Sequence, residues 1–512
     1  MFFTACIKDL DTIPLDKDVF TSEKIYSDFT NYEKVLAKVY AGLAVSGQQG
    51  PHGNNDLSGL DEGFGQYTRA FFYAQELPTD EAILGWNDGN LRDYQEMDWS
   101  ASNEFIFNMY SRIFYQISLC NEFIRETTDA KLSDRGFNET QKTTINLYRT
   151  EARLLRALSY YHALDMFGSV PFVTEENAVG SFLPDQISRT DLFDYIESEL
   201  LDIENDLMAP RTNVYGRMDQ ASAWMLLARL YLNAEVYGKG PKYTEAVTYS
   251  KKVIDAGYNL EDNYAKMFMA DNQNAKGIIF AIPYDGVNTK TWGGTCFIIN
   301  AEVGGSMLPA DYGISSGWGG LRAKPQFVDK FPADNSDKRK MFYTAGQTKD
   351  ISNMFLFTDG FAVTKWKNVK STGGAGSNLT HPDTDQPIFR LADAYLMYAE
   401  AVLRGGTGGS TASALAYVNE IRLKAYGNAS GQITEGQLTL SFILDERARE
   451  LYWEGYRRTD LIRYGLLTGG TYLWQWKGGV KEGIATNAKY NLFPIPDADM
   501  GANPKLVQNE GY

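Results

Sequence analysis

The chain has 512 residues, of which 44% are hydrophobic and 22% charged; this is ample for a packed core, allows about three units of ~150 residues, and excludes a disordered chain. The formal net charge of −16 repels phosphate backbones and anionic lipid surfaces, so nucleic acid is a poor partner, while a neutral polymer such as an oligosaccharide is unaffected. Aromatics stand out at 13%, with 32 Tyr, 28 Phe and 9 Trp. Many must fill helical core, but rings left on loops would suit sugars, whose pyranose C–H face lies flat on an aromatic ring.

The N-terminus reads Met-Phe-Phe-Thr-Ala-Cys. Phe3-Thr4-Ala5-Cys6 resembles the end of a bacterial lipobox, in which small residues precede a cysteine that becomes lipid-modified. Ile7–Phe20 is polar, Asp-rich and carries Pro14, as a tether between anchor and folded body would. Residues 1–20 are therefore expected to be a lipoprotein signal remnant and tether, with Cys6 lipidated and the recorded start lying inside a longer signal peptide. No run of 18 apolar residues follows, so no transmembrane helix is expected. Cys120 and Cys296 read as small core residues.

Helical spacing begins over Thr21–Leu43, and a Gly/Asn/Asp-rich surface loop follows over Gly47–Gly65. Helices are predicted at Asn103–Glu126 and Gln141–Phe167. In the second, Ala152, Leu155, Leu158 and His162 share one face, and Gly168 and Pro171 stop it. Thr190–Met208 reads as a helix opened by Thr190 and Asp191, and Asp219–Tyr237 interleaves alanines with large residues so that helices can approach closely. Tyr243–Ala256 makes a short amphipathic partner. Pairs of this size suggest tetratricopeptide-like stacking, degenerate because the strict 34-residue signature is absent.

Residues 265–385 change character: Gly, Asn, Asp, Thr and aromatics dominate, with strand-like runs at Gly277–Pro283 and Phe361–Trp366. Function concentrates in such irregular regions. Helices return at Pro387–Arg404, Thr411–Ala425 and Phe442–Tyr452, and Tyr490–Tyr512 is loop. The expected fold is all-α: a split stack of degenerate tetratricopeptide-like pairs supporting a loop-rich binding face. Residues 21–260 would form its N-terminal helical region and 261–512 a C-terminal region carrying the loop-rich insertion.

A catalytic site is hard to find. His52, His162 and His381 show no metal-ligand spacing, and there is no nucleophile elbow, Walker loop or dinucleotide fingerprint. A glycosidase needs only two carboxylates, and Glu76-Leu77-Pro78-Thr79-Asp80-Glu81 is the densest cluster outside a helix. Asp445, Glu446, Glu450 and Glu454, interspersed with Arg447, Arg449, Arg457 and Arg458, read as helix-face ion pairs. Trp86, Trp292 and Trp318 are different in kind: each adjoins a glycine in a turn-rich segment, where a core tryptophan is not expected. Trp224 and Trp453 read as helical core.

Four segments together resemble the RagB/SusD family, in order along the chain: Ala152–Tyr161 (ARLLRALSYY) with Phe167-Gly168-Ser169-Val170-Pro171, Pro387–Leu396 with Glu400-Ala401, Leu444–Asp460 (LDERARELYWEGYRRTD), and the closing Asn509-Glu510-Gly511-Tyr512. The segments ELPTDE at 76–81, FTDG at 357–360, HPDTDQ at 381–386 and YLWQWKGG at 472–479 look like those of the family's starch-binding member. The resemblance implies a bacterial outer-membrane lipoprotein without enzymatic activity. Such a protein captures oligosaccharides at the cell surface, here starch or maltooligosaccharides, and passes them to a SusC-like TonB-dependent transporter. It also implies site residues: Trp86, Trp292 and Trp318 as stacking rings, Asp61 and Arg69 as polar contacts, and Asn90 as a nearby amide. Leu84 stands where the starch binder has a further tryptophan, so a different glycan is an alternative ligand; a peptide ligand is another. No cofactor is required, but Asp383 and Asp385 resemble calcium ligands of the starch binder. Their partner segment Asp271–Lys276 is shortened and offers Gln273 and Lys276 instead, so a solvated acidic loop is the competing reading.

Overall fold

A computed structural model describes residues 21–51, 55–177, 180 and 182–512. Cys6, the tether and His52 lie outside the described residues. Among those described, no helix is long and apolar enough to cross a membrane.

Side chains set the starts of many of the helices. Asp28 accepts from both the backbone N–H and the hydroxyl of Thr30 at 2.9 Å, and this breaks the predicted first helix into Ser22–Tyr26 and Thr30–Ala44. Asn103 accepts from the N–H groups of Phe105 and Ile106 and opens Glu104–Glu126. Asn138 and Gln141 close a capping box, so the next helix runs Glu139–Met166. Ser188, rather than Thr190, caps Arg189–Ile203. Asp219 caps Gln220–Leu232, and Tyr243–Asp255 follows. Neighbours in sequence pack as pairs: Glu104–Glu126 on Glu139–Met166, the latter on Arg189–Ile203, and Gln220–Leu232 on Tyr243–Asp255. The stack then resumes across the loop-rich region, because Tyr243–Asp255 packs on Leu391–Leu403, which packs on Thr411–Tyr426.

Several segments depart from expectation, among them Asp497–Ala502, a short helix within the predicted C-terminal loop. The helix predicted from Pro387 begins at Leu391; Gln386–Arg390 is a strand, antiparallel to Ile278–Ile282 in a two-stranded sheet where Pro387 lies on an edge. Tyr67–Glu76 and Gly294–Glu302 are helices where none was expected. Both are buried nearly all round, and Gly294–Glu302, apolar on most of its faces, lacks the stripe that marks a surface helix.

The charged residues read as helix-face pairs are instead buried, all but Asp445. Glu446, at the heart of the Leu440–Leu451 helix, binds Arg339, Arg422 and Arg449 at 2.6–2.9 Å. Arg390 meets Glu450 at 3.0 Å and Glu454 at 2.6 Å, and Lys365 meets Glu454 at 2.7 Å. Arg447 joins Asp393 to Asp460, and Arg457, from the Arg457–Arg463 helix, holds Asp80 at 2.6 and 2.9 Å. Burial alone would raise the Asp80 carboxyl, but Arg457 and Lys330 beside it keep it well below the ordinary carboxylate range. Sequence spacing gives i,i+4 neighbours; the partners that turn these residues inward come from other segments, 54 positions away for Arg447 and Asp393 and 377 for Arg457 and Asp80.

Removing one member of such a pair strands a buried charge. Arg457→Met leaves Asp80 with the Tyr472 hydroxyl and a 3.7 Å contact to Lys330. The expected loss is about 3–5 kcal/mol, read as a lowered urea midpoint; a midpoint equal to the parent's would show that the pair contributes nothing net.

Candidate ligand-binding site

Three half-buried tryptophans form a row. The ring centroids of Trp86 and Trp318 are 6.2 Å apart, those of Trp318 and Trp292 are 6.0 Å apart, and His381 sits 4.6 Å beyond Trp292. Trp99, Trp366, Trp453 and Trp474 are by contrast fully buried. Trp453 is core as expected, although it lies just past its helix at φ +60°. Trp224 is only half-buried and donates its indole N–H to Glu204 at 2.8 Å.

The row is organised by the buried helix Gly294–Glu302. Trp292 lies just ahead of its start. At its other end, the Gly317–Gly320 loop folds back over the last turn: Trp318 donates its N–H to the Asn300 carbonyl at 2.6 Å, Gly319 to Val303 at 2.9 Å and Gly320 to Ala301 at 2.8 Å. These bonds satisfy carbonyls that a helix terminus otherwise leaves open. A single rigid element therefore spaces two rings. Trp86 follows the strand Ala82–Leu84, which pairs with Leu321–Ala323, and its indole covers Gly320, where a Cβ would come within 2.5 Å of Nε1.

Gln66 secures the start of the helix. Its side-chain oxygen accepts from the N–H groups of Arg69 at 2.9 Å and Gly294 at 3.0 Å, and its amide donates to the Leu43 carbonyl at 2.8 Å. Gly294, at φ +51°, packs on the Tyr284 ring where a side chain would overlap it.

Polar groups flank the rings. Arg69, on Tyr67–Glu76, lies 4.6 Å over Phe297, donates Nε–H to the Tyr73 hydroxyl at 2.7 Å and Nη1–H to the Trp292 carbonyl at 3.0 Å. Asp61 is exposed and accepts from the N–H groups of Gly63 at 2.7 Å and Phe64 at 3.0 Å. Gly63 lies among these groups: a methyl there would stand 2.9 Å from the Asp61 carboxylate, 3.3 Å from the Arg69 guanidinium and 3.4 Å from Trp292 Cβ. The structure thus brings Asp61, Arg69, Trp86, Trp292 and Trp318 together. Asn90 lies at the start of Glu104–Glu126, where its side-chain oxygen accepts from the Glu104 N–H at 3.2 Å and its carbonyl from the Asn103 amide at 2.9 Å. Leu84 is wholly buried in its strand and presents no surface to the row. Phe297, Gln66 and Tyr284 were not singled out in the sequence; only their place beside Gly-rich turns could have marked them.

The cluster at 76–81 offers no hydrolytic site. Burial lifts the Glu76 carboxyl to about 8, a shift that a general acid can show. Yet Glu76, Asp80 and Glu81 are all buried: Glu76 accepts from the Gly455 N–H at 2.6 Å, Asp80 is paired with Arg457, and Glu81 accepts from the Trp453 N–H at 3.3 Å. These contacts pin the segment to the end of the Leu440–Leu451 helix and leave no gap for a glycosidic bond.

The Asp383 and Asp385 side chains do not fit a calcium ion. Asp383 accepts from the Gly286 N–H at 2.8 Å and from the N–H and hydroxyl of Ser377 at 2.6 Å. Asp385 accepts from the Tyr284 N–H at 2.8 Å and the Tyr215 hydroxyl at 2.7 Å, and burial lifts its carboxyl to about 6. Their lone pairs face donors, whereas calcium takes six to eight oxygens. Among the described residues no group of three or more His, Cys, Asp or Glu side chains could hold a metal ion.

A helical stack presenting a row of half-exposed indoles, edged by a guanidinium and a carboxylate, defines a binding protein for a flat-faced polar ligand. The SusD family model matches residues 343–512. The starch-binding protein SusD of Bacteroides thetaiotaomicron is 37% identical, with 99% of this chain and 96% of that protein covered. SusD-like protein P2 of Formosa agariphila is 25% identical over 75% of this chain and 78% of its own. Among solved structures, a SusD homolog from Bacteroides thetaiotaomicron superposes with a TM-score of 0.73 at 20% identity, covering 96% of this chain and 99% of that one. Surface glycan-binding protein A from the same organism, in complex with laminarihexaose, superposes with a TM-score of 0.70 at 18% identity, covering 94% and 99%. The chain belongs to the SusD family.

If the two aspartates act only as hydrogen-bond acceptors, neither added calcium nor EDTA will move the melting temperature; a calcium-dependent rise would show that backbone carbonyls complete a metal site there.

Proposed function

We propose that this protein is a cell-surface glycan-binding protein rather than an enzyme, and that it captures oligosaccharides on the Trp86–Trp318–Trp292 row. The observation that carries the reading is the row itself: three half-open indoles set side by side on glycine-rich turns, whereas Trp99, Trp366, Trp453 and Trp474 are fully buried. Stacking removes the C–H face of a pyranose from water while its hydroxyls stay at the edge. There the Asp61 carboxylate accepts hydrogen bonds, and the Arg69 guanidinium sits beside the Trp292 carbonyl. Starch-type α-glucans are the first ligand to expect, because the relative that spans almost the whole chain is a starch-binding protein. The burial of Leu84 supports a second reading, a different glycan, since a platform expected of a starch site is missing. A lipid anchor at Cys6, placement at the outer membrane and delivery of the glycan to a SusC-like TonB-dependent transporter complete the proposal.

Calorimetric titration with maltoheptaose and with laminarihexaose separates the two readings. Loss of a stacking ring is worth about 1–3 kcal/mol by analogy with base stacking, so Trp318→Ala should weaken binding roughly 5- to 150-fold with an unchanged melting temperature. Undiminished affinity in that variant would remove the row from the site, and preference for the β-glucan would move the ligand but keep the row.

A further inference from the structure

We infer that His381 is a positioning residue for Trp292 and that the HPDTDQ segment is a buckle for the ligand row; the inference rests on the reading of that row as the glycan site. The His381 imidazole packs on the Trp292 indole with centroids 4.6 Å apart and planes inclined at 53°. It is itself buried at 7% exposure, so it stands behind the row rather than offering a face to a ligand. Its Nδ1 lies 3.1 Å from the Thr291 carbonyl, an acceptor only, so the proton resides on Nδ1 and the ring is fixed to the residue preceding Trp292.

The rest of the segment ties down both sides of the same turn. Asp385 accepts from the Tyr284 N–H and Asp383 from the Gly286 N–H, each at 2.8 Å. Downstream of Trp292, the Thr295 hydroxyl donates to the Thr384 carbonyl at 2.7 Å. The stretch from Tyr284 to Thr295 is therefore held at its start, at its indole and at its end by four residues of one short run, His381, Asp383, Thr384 and Asp385. The carboxylates that resemble calcium ligands serve this clasp, and the imidazole sets the plane of the ring it backs. A tryptophan on a glycine-rich turn without such a backing would have to be ordered by the ligand on each binding event, and affinity would fall accordingly.

The test is a double-mutant cycle on the full chain, with maltoheptaose affinity and melting temperature read for the parent, His381→Ala, Trp292→Ala and the double variant. His381→Ala should weaken binding about 3- to 10-fold in the parent, the size expected for freeing one side chain, and have no further effect once Trp292 is absent. His381→Phe, which keeps a ring against the indole, should stay within about 2-fold of the parent. Should His381→Ala fail to fold, His381→Leu fills the space without a ring and takes its place in the cycle. Equal losses from His381→Ala with and without Trp292, or no loss in the parent while Trp292→Ala weakens binding, would overturn the inference. Unchanged affinity in Trp292→Ala would instead overturn the site reading on which it rests.

Discussion

The buried guanidinium–carboxylate network is the constraint on which the rest of the structure depends. A lone charge in such a place would cost several kcal/mol, so each arginine dictates where its carboxylate must come to rest. Arg390 sits where the Gln386–Arg390 strand passes into the Leu391–Leu403 helix, and its bonds to Glu450 and Glu454 lock that junction to the Leu440–Leu451 helix and its exit. Arg339 and Lys365, both from the loop-rich region, share those same glutamates. The helical stack and the irregular region are thus joined through a handful of directional contacts, and greasy packing alone would not fix their register. Arg457 extends the network to Asp80, two residues before the strand that delivers Trp86 to the site.

From that frame the binding face follows by short steps. The helix Gly294–Glu302 is buried in the frame and sets the spacing of Trp292 and Trp318, and the strand pair beside it sets Trp86. Glycines stand where backbone passes directly under a ring or a side chain, at Gly63, Gly294 and Gly320. The rings are held before any ligand arrives, which spares the ordering entropy that a mobile platform would lose on binding.

Much of this was legible in the sequence, and the reasons for the exceptions are physical. The long amphipathic helices were readable because their caps and periodicity are local, as Asn103 and Asp219 show. The loop tryptophans were readable because indole beside glycine contradicts a core role. The helix that carries Phe297 was not, since a helix buried on every side has no period to detect; the one that carries Arg69 does have a helical period, but over only ten residues. Pro387 drew a helix start where a strand runs, because proline suits both a helix's first turn and an edge strand. The acidic and basic residues of Leu444–Asp460 looked like a solvated face, since local spacing cannot reveal that their partners are Arg339, Arg390, Asp393 and Asp80. Nor could it reveal that Asp383 and Asp385 face backbone N–H groups.

The central claim is that sugar rings lie on the indole row. A crystal structure of the protein soaked with maltoheptaose tests it most directly. The account predicts glucose units stacked on Trp86, Trp318 and Trp292, with hydroxyls within hydrogen-bond reach of Asp61. Ligand bound elsewhere, with the three indoles still facing solvent, would contradict it.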